Sequence, residues 1–262
     1  AYEQALIPWL LDREVADVPG TVREMYTAFA GPARQSGTIP ALVKALCGVE
    51  LALWDLDARN AGKSLANHLF GEPRDRVRVY ASGINSPLPR DLIDAHLEAG
   101  VTLFKLKLGF GYDVDRRNLH ELTKHLAGRA SLAVDINRGW SMAEAEAWLP
   151  LLEDLDIQWI EEPLNIVDEP QLARLRERSS IPLAGGENIL TVPGMDPVAL
   201  RDEPYDILQP DITKYTPLHL ALELLDAVAG EKRVVPHFLG SAPGLAASLQ
   251  LAAGCPEGLV ET

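Results

Sequence analysis

SLAVDINRGWSMAEAEAWLPLLEDLDIQWIEEP, residues 131–163, decides the fold. Two short apolar runs, Leu132–Asn137 and Ile157–Glu162, flank a segment, Ser141–Asp154, that is apolar at helical spacing. Ser141 is a good N-cap, and Glu144 three residues on predicts a capping box. Strand, helix, strand in that order is a parallel crossover unit. Both runs stop at acidic residues, Val134-Asp135-Ile136-Asn137 and Ile160-Glu161-Glu162-Pro163.

The same unit repeats outward in both directions. Further apolar runs are Val77–Ser82, Leu103–Leu108, Ile181–Glu187, Tyr205–Asp211, Arg233–Leu239 and Leu259–Glu261, with a helical stretch such as Leu218–Ala229 between two of them. Eight strands alternating with helices imply a parallel α/β sheet, and the near-constant spacing favours a closed barrel. An open dinucleotide-binding sheet carries a glycine-rich loop after its first strand, and Val77–Leu88 has none. Before Pro73 the pattern differs. Ala41–Leu56 is apolar at helical spacing through Val43, Leu46, Cys47, Val49, Leu53 and Trp54, and Gly71 and Pro73 stop a short helix begun near Gly62. Residues 1–75 are therefore expected to be helical and residues 76–262 to form the barrel. The chain opens at Ala1 and stops at a strand, Leu259-Val260-Glu261, so it is expected to be part of a longer protein.

Composition narrows the function. The 262 residues carry 24 Lys+Arg against 38 Asp+Glu, a formal charge of −14. That excludes a nucleic-acid binder, which needs a basic face. No stretch offers the roughly 20 apolar residues of a membrane span. Two cysteines, Cys47 and Cys255, make no disulfide framework and fit a reducing cytoplasm.

From the second strand onward each run ends in a charged or metal-competent residue. Lys107, Asp135, Glu161, Glu187, Asp211, His237 and Glu261 follow one another at steps of 28, 26, 26, 24, 26 and 24 residues. Units of that length are expected to return to one height, the C-terminal mouth where barrel active sites lie. Lys105 and Lys107 point the same way, as do Asp135 and Asn137. Asp135, Glu161 and Glu187 come from three adjacent strands, and three close anions raise one another's pKa. A hard divalent cation, Mg²⁺ or Mn²⁺, suits such oxygen ligands. Lys107 and His237 are two candidate bases, and Asp211 can hold His237 in one tautomer. Lys105 and a metal are expected to depress the pKa of a neighbouring lysine toward the range of a base. Each residue has a plainer reading as a solvated or packed side chain. Glu162 stays open, Arg138 and Trp140 are even between substrate contact and loop, and Gly240–Gly244 reads as a turn and helix start. No site role is given to His68, His96, His120, His125 or His219. A barrel that binds metal or acid without turnover is the alternative of another class.

Together, Lys105-x-Lys107, Asp135-x-Asn137, Glu161-Glu162-Pro163, Gly186-Glu187-Asn188, Gln209-Pro210-Asp211 and Pro236-His237 resemble the enolase superfamily. More closely they resemble its mandelate racemase subgroup, which includes many acid-sugar dehydratases. Ala52-Leu53-Trp54-Asp55 resembles the end of that family's capping region. The resemblance implies a modified TIM barrel of the (β/α)7β type. It implies that residues 1–75 are a partial helical remnant of an N-terminal capping domain, whose sheet and C-terminal tail are not visible in the sequence. It implies Asp135, Glu161 and Glu187 as Mg²⁺ ligands, Lys107 as base on one substrate face, and His237 with Asp211 as acid/base on the other. Lys105 would hold the substrate carboxylate or enediolate, Asn137 would touch substrate, and Glu261 would hydrogen-bond the enediolate. A cytoplasmic homo-oligomer acting on a small carboxylate is expected, with acid-sugar dehydration first. Racemisation of an α-hydroxy acid, or activity like the muconate-cycloisomerase and dipeptide-epimerase branch, is the alternative. Lys214, three residues past Asp211, keeps that branch open.

Overall fold

A computed structural model describes residues 2–165, 169–196 and 201–262. Among them, no helix is long and apolar enough to cross a membrane. The chain divides into two compact units. One, the helical unit, takes the described residues of Ala1–Val77, Gly186–Asp202 and Gln209–Val260. The other, the sheet unit, takes Arg78–Gly185, Glu203–Leu208 and Glu261–Thr262, likewise as described.

The helical unit opens with α1 (Glu3–Leu10), α2 (Val18–Gln35), α3 (Ile39–Asn60) and α4 (Leu65–Phe70). Leu6, Val22, Met25, Ala33, Leu42 and Leu46 form a buried cluster between the first three. The ends follow local chemistry. Asp17 accepts from the Gly20 backbone at the start of α2, and Ser64 accepts from Asn67 at the start of α4. The long helix predicted over Ala41–Leu56 lies inside α3. This unit also holds β7 (Arg233–Val234), α9 (Leu218–Ala227) and α10 (Ala242–Ala252). The start of α9 is tied to α3: buried Glu50 accepts from the His219 backbone N–H at 2.8 Å, faces His219 Nδ1 at 2.9 Å and accepts from Trp54 Nε1 at 3.2 Å.

The sheet unit alternates β1 (Arg78–Ile84), α5 (Arg90–Glu98), β2 (Leu103–Lys107), α6 (Tyr112–Leu126), β3 (Ser131–Asp135), α7 (Met142–Asp154), β4 (Ile160–Glu161), α8 (Glu169–Arg178), β5 (Leu183–Gly185) and β6 (Ile207–Leu208). The strands stand in the order β6-β5-β4-β3-β2-β1, and neighbours pair in parallel. Beyond them β8 (Leu259–Glu261) ends beside β1, where Thr262 exchanges backbone hydrogen bonds with Tyr80 and Ser82. Parallel strands joined through helices are the α/β class that residues 131–163 predict. The capping box at Ser141 and Glu144 is formed in full.

Register sharpens the height argument. Lys107 pairs with Asp135, Asp135 with Glu161, and Glu161 with Ala184, so three of the expected seven residues share one row. The row continues to Ile207 on β6. Glu187 and Asp211 come three and four residues later in the chain, past the strand ends. Even steps along the chain therefore do not guarantee even heights, because turns and helices absorb residues. The later strands are also shorter than the apolar runs that announced them. Pro182 precedes β5, and Pro210 and Pro236 follow β6 and β7; none supplies an N–H to a ladder. Gly185 and Gly186 carry the chain from β5 toward Glu187. A Cβ on Gly185 would meet the Tyr205 ring at 2.4 Å. Gly186 has a φ of 125°, which side chains rarely adopt, and a Cβ there would press on the Gln209 backbone at 3.3 Å.

Candidate active site

The sheet unit gathers a buried charged group. Lys105 Nζ donates to Glu161 Oε1 at 2.5 Å, lies 3.0 Å from Glu261 Oε1 and 3.7 Å from Asp135 Oδ2. Lys107 Nζ donates to Asp135 Oδ2 and, at 2.6 Å, to Asn137 Oδ1. Lys105, Asp135 and Glu161 are fully buried, and Lys107 keeps a quarter of its side chain exposed. Both lysines thus reach the same carboxylate, as strand alternation requires. Asn137 is set differently: β3 has ended, Asn137 has a φ of 44°, and its backbone N–H donates to Asp135 Oδ1 at 2.8 Å. A side-chain carboxylate that caps its own turn in this way tolerates a left-handed residue.

The pKa directions reflect this crowding. Burial, helped by Glu161, pushes the Asp135 carboxyl up from its usual range against the pull of Lys105 and Lys107. At Asp135 the direction is the one the sequence predicts for crowded acids. Lys105, expected to hold negative charge on the substrate, is kept charged. Burial alone would lower it, but Glu161, Tyr80, Glu261 and Asp135 together hold it well above the ordinary lysine value. Lys105 is therefore a fixed cation.

Further side chains complete this group. Trp159 Nε1 donates to Glu161 Oε2 at 3.2 Å, and Tyr80 OH donates to Glu261 Oε2 at 3.3 Å. The two rings meet edge to face at 5.3 Å. Glu162, left open by the sequence, is buried and takes Arg138 Nη2 at 3.0 Å, while the Arg138 backbone N–H donates to the Glu162 carbonyl at 2.7 Å. Both have positive φ, 62° at Arg138 and 39° at Glu162. The pair clamps the tips of β3 and β4 just past Asp135 and Glu161. Trp140 is buried and stacks on Trp148 at 5.5 Å.

The helical unit gathers a second group. His237 Nδ1 faces Asp211 Oδ2 at 2.8 Å, the pairing the sequence predicts, and its Nε2 lies 2.6 Å from Glu187 Oε2. The second oxygen of Asp211 accepts from the Thr213 backbone at 2.8 Å and from Thr213 Oγ1 at 2.6 Å. Asn188 Nδ2 donates to Glu187 Oε1 at 2.9 Å, and Lys214 Nζ donates to Asn188 Oδ1 at 2.7 Å. Sequence reading misses Tyr80, Trp159, Thr213 and the use of Asn188. Trp159 was within reach, since it stands two residues before Glu161 on the same side of the strand. Tyr80 carries no sequence signal. Among the described residues, no three His, Cys, Asp or Glu side chains group as ligands for a metal ion.

Known proteins resemble this chain in sequence and in fold. The family described as "Enolase C-terminal domain-like" matches residues 90–261. The chain belongs to the enolase superfamily. A D-galactarolactone cycloisomerase of Agrobacterium fabrum is 30% identical over 97% of this chain and 68% of its own length. An L-talarate/galactarate dehydratase of Salmonella typhimurium is 29% identical over 87% of this chain. This chain spans 59% of that dehydratase. A crystal structure of a mandelate racemase/muconate lactonizing enzyme from Bordetella bronchiseptica superposes with a TM-score of 0.89 at 34% identity, covering 99% of this chain and 73% of that one. A Bradyrhizobium enolase solved with magnesium and mandelic acid gives 0.78 at 25%, over 94% of this chain and 67% of that one. The fold is thus the TIM-barrel-like α/β fold of the mandelate racemase and muconate lactonizing enzymes of this superfamily. Its relatives are lyases and isomerases.

Proposed function

We propose that this enolase-superfamily chain removes the proton α to the carboxylate of an acid sugar and eliminates water, giving a 2-keto-3-deoxy acid. The observation that carries the reading is the Asp211–His237 pair at 2.8 Å, in a chain that also has Lys105-x-Lys107. The substrate is a small-molecule carboxylate, and the proposed setting is a reducing cytoplasm, consistent with Cys47 and Cys255 both free and buried.

Asp135, Glu161 and Glu187 are the proposed ligands of Mg²⁺, with Mn²⁺ as a substitute. The donor set fits. Asp135 and Glu161 are buried register partners offering only oxygens, the donors a hard cation takes. When bound, the ion would act as a Lewis acid on the substrate carboxylate. Lys105, a buried cation, sits where negative charge on an enediolate would be offset. Lys107 takes the α-proton, and its bonds to Asp135 and Asn137 aim the amine. The C–H electrons form the enediolate double bond. His237, held in one tautomer by Asp211, gives its proton to the β-hydroxyl as the C–O bond breaks, and water leaves. The resulting enol becomes the keto acid. Glu261 hydrogen-bonds the enediolate and Asn137 the substrate. General acid and base catalysis contributes roughly 10²- to 10⁴-fold.

A second reading, isomerisation of a sugar-acid lactone, is favoured by the cycloisomerase relative that aligns over 97% of this chain. A panel of acid sugars and their lactones with Mg²⁺ in D₂O separates the two. Dehydration predicts a 2-keto acid from an open acid sugar, with deuterium exchange stopped at one face by Lys107→Ala or His237→Asn. No 2-keto acid from any member, alongside racemisation of a simple α-hydroxy acid, would sink it.

A further inference from the structure

Lys214 sits in the helical unit on the loop that also carries Asp211. Its Nζ donates to Asn188 Oδ1 at 2.7 Å and lies 3.7 Å from Glu187 Oε1. Asn188 Nδ2 donates to that same Oε1 at 2.9 Å, while Glu187 Oε2 faces His237 Nε2 at 2.6 Å. His237 in turn faces Asp211, and the Lys214 backbone N–H donates to the Asp211 carbonyl at 3.2 Å. The contacts close a circuit: Glu187, His237, Asp211, the loop backbone, Lys214, Asn188 and back to Glu187. Each carboxylate oxygen of Glu187 has its own partner, so the carboxylate can neither rotate nor swing without breaking a charge-assisted bond.

We infer that Lys214 is a positioning residue that, with Asn188, fixes the carboxylate of Glu187 for a divalent cation. It is not a second base. The ammonium is engaged by Asn188, lies beside the carboxylate of Glu187 and rests 5.1 Å over the Tyr215 ring. In that geometry the amine is directed at Asn188 and Glu187. The inference rests on the proposal that Glu187 is a metal ligand. Partners that orient a metal-bound carboxylate are worth about 10- to 100-fold in metal affinity.

The test measures Mg²⁺ by calorimetry, and Mn²⁺ by electron paramagnetic resonance, on the substrate-free protein. Lys214→Met is expected to weaken binding by about 10- to 100-fold, and Asn188→Leu to weaken it in the same direction. Lys214→Arg should recover most of the loss. With saturating metal, Lys214→Met should still exchange the α-proton on both faces. Lys214 keeps 24% of its side chain exposed, so these variants should keep the wild-type melting temperature without metal. Wild-type metal affinity in both Lys214→Met and Asn188→Leu would overturn the inference, as would loss of exchange at one face only. Glu187→Gln is the separate control. If it binds metal like wild type, the metal-ligand reading fails; if it loses metal while Lys214→Met does not, only the positioning inference fails.

Discussion

The group around Lys105 and the group around His237 are built by different means. In the sheet unit, Lys107, Asp135 and Glu161 share one register row, and hydrogen-bonded strands hold them. Their side chains are charged, largely buried and balanced against one another. In the helical unit, Glu187, Asp211 and His237 all follow strand ends. Loops place them, and directed hydrogen bonds from Thr213, Asn188 and Lys214 aim them. The first group is rigid because the sheet is rigid. The second is rigid only as far as its small hydrogen-bonded network is complete. Changes in the first should therefore cost stability, and changes in the second should cost activity.

Lys105→Met should have the largest effect. It leaves Glu161, Glu261 and Asp135 without their buried cation, and breaking a buried ion pair from one side costs about 3–5 kcal/mol. Urea unfolding monitored by circular dichroism measures it. A loss under about 1 kcal/mol would mean the sheet group is not held by that ammonium. Asp211→Asn sharpens the contrast from the other side. It should cost less stability than Lys105→Met and slow α-proton exchange at the His237 face by roughly 10²- to 10⁴-fold. A large drop in stability with normal exchange would reverse the comparison. Arg138→Met removes the guanidinium from the buried Glu162 carboxylate and should cost about 1–3 kcal/mol, again read from urea unfolding. Thr213→Val keeps the shape and removes one hydroxyl donor from Asp211. It should cost about 1 kcal/mol and show chiefly as slower turnover with little change in substrate affinity. Steady-state kinetics reports the split, and an effect on KM alone would place Thr213 at the substrate instead.

The legibility of each group follows its construction. Strand alternation and the β2–β3–β4 run were readable because the side-chain period of a strand is fixed by its backbone. That period delivered Lys105, Lys107, Asp135 and Glu161 together. Past β3 a left-handed turn takes over, yet Asn137 still meets the same Lys107 ammonium as Asp135. The period broke down at Glu187, Asp211 and His237, whose strands stop at Gly185, Leu208 and Val234. The Asp211–His237 contact was anticipated from chemistry. The hydroxyl of Thr213, two residues from Asp211, was not, because only the loop conformation turns it back. Glu50 and His219 stand far apart in the chain, and nothing in the sequence announces that they meet.

By itself the sequence determined the alternation of parallel strands and helices and the family, and it named the candidate acids and bases. Periodicity, capping and motif order are local properties, and local physics writes them into the chain. Tertiary structure decided which oxygen meets which nitrogen. It surrounded Lys105 with Glu161, Glu261, Asp135 and Tyr80, which together hold its ammonium charged. It turned Glu162 toward Arg138 and closed the circuit through Lys214. Such outcomes depend on burial and on contacts between residues distant in sequence, so they exist only once the chain has folded.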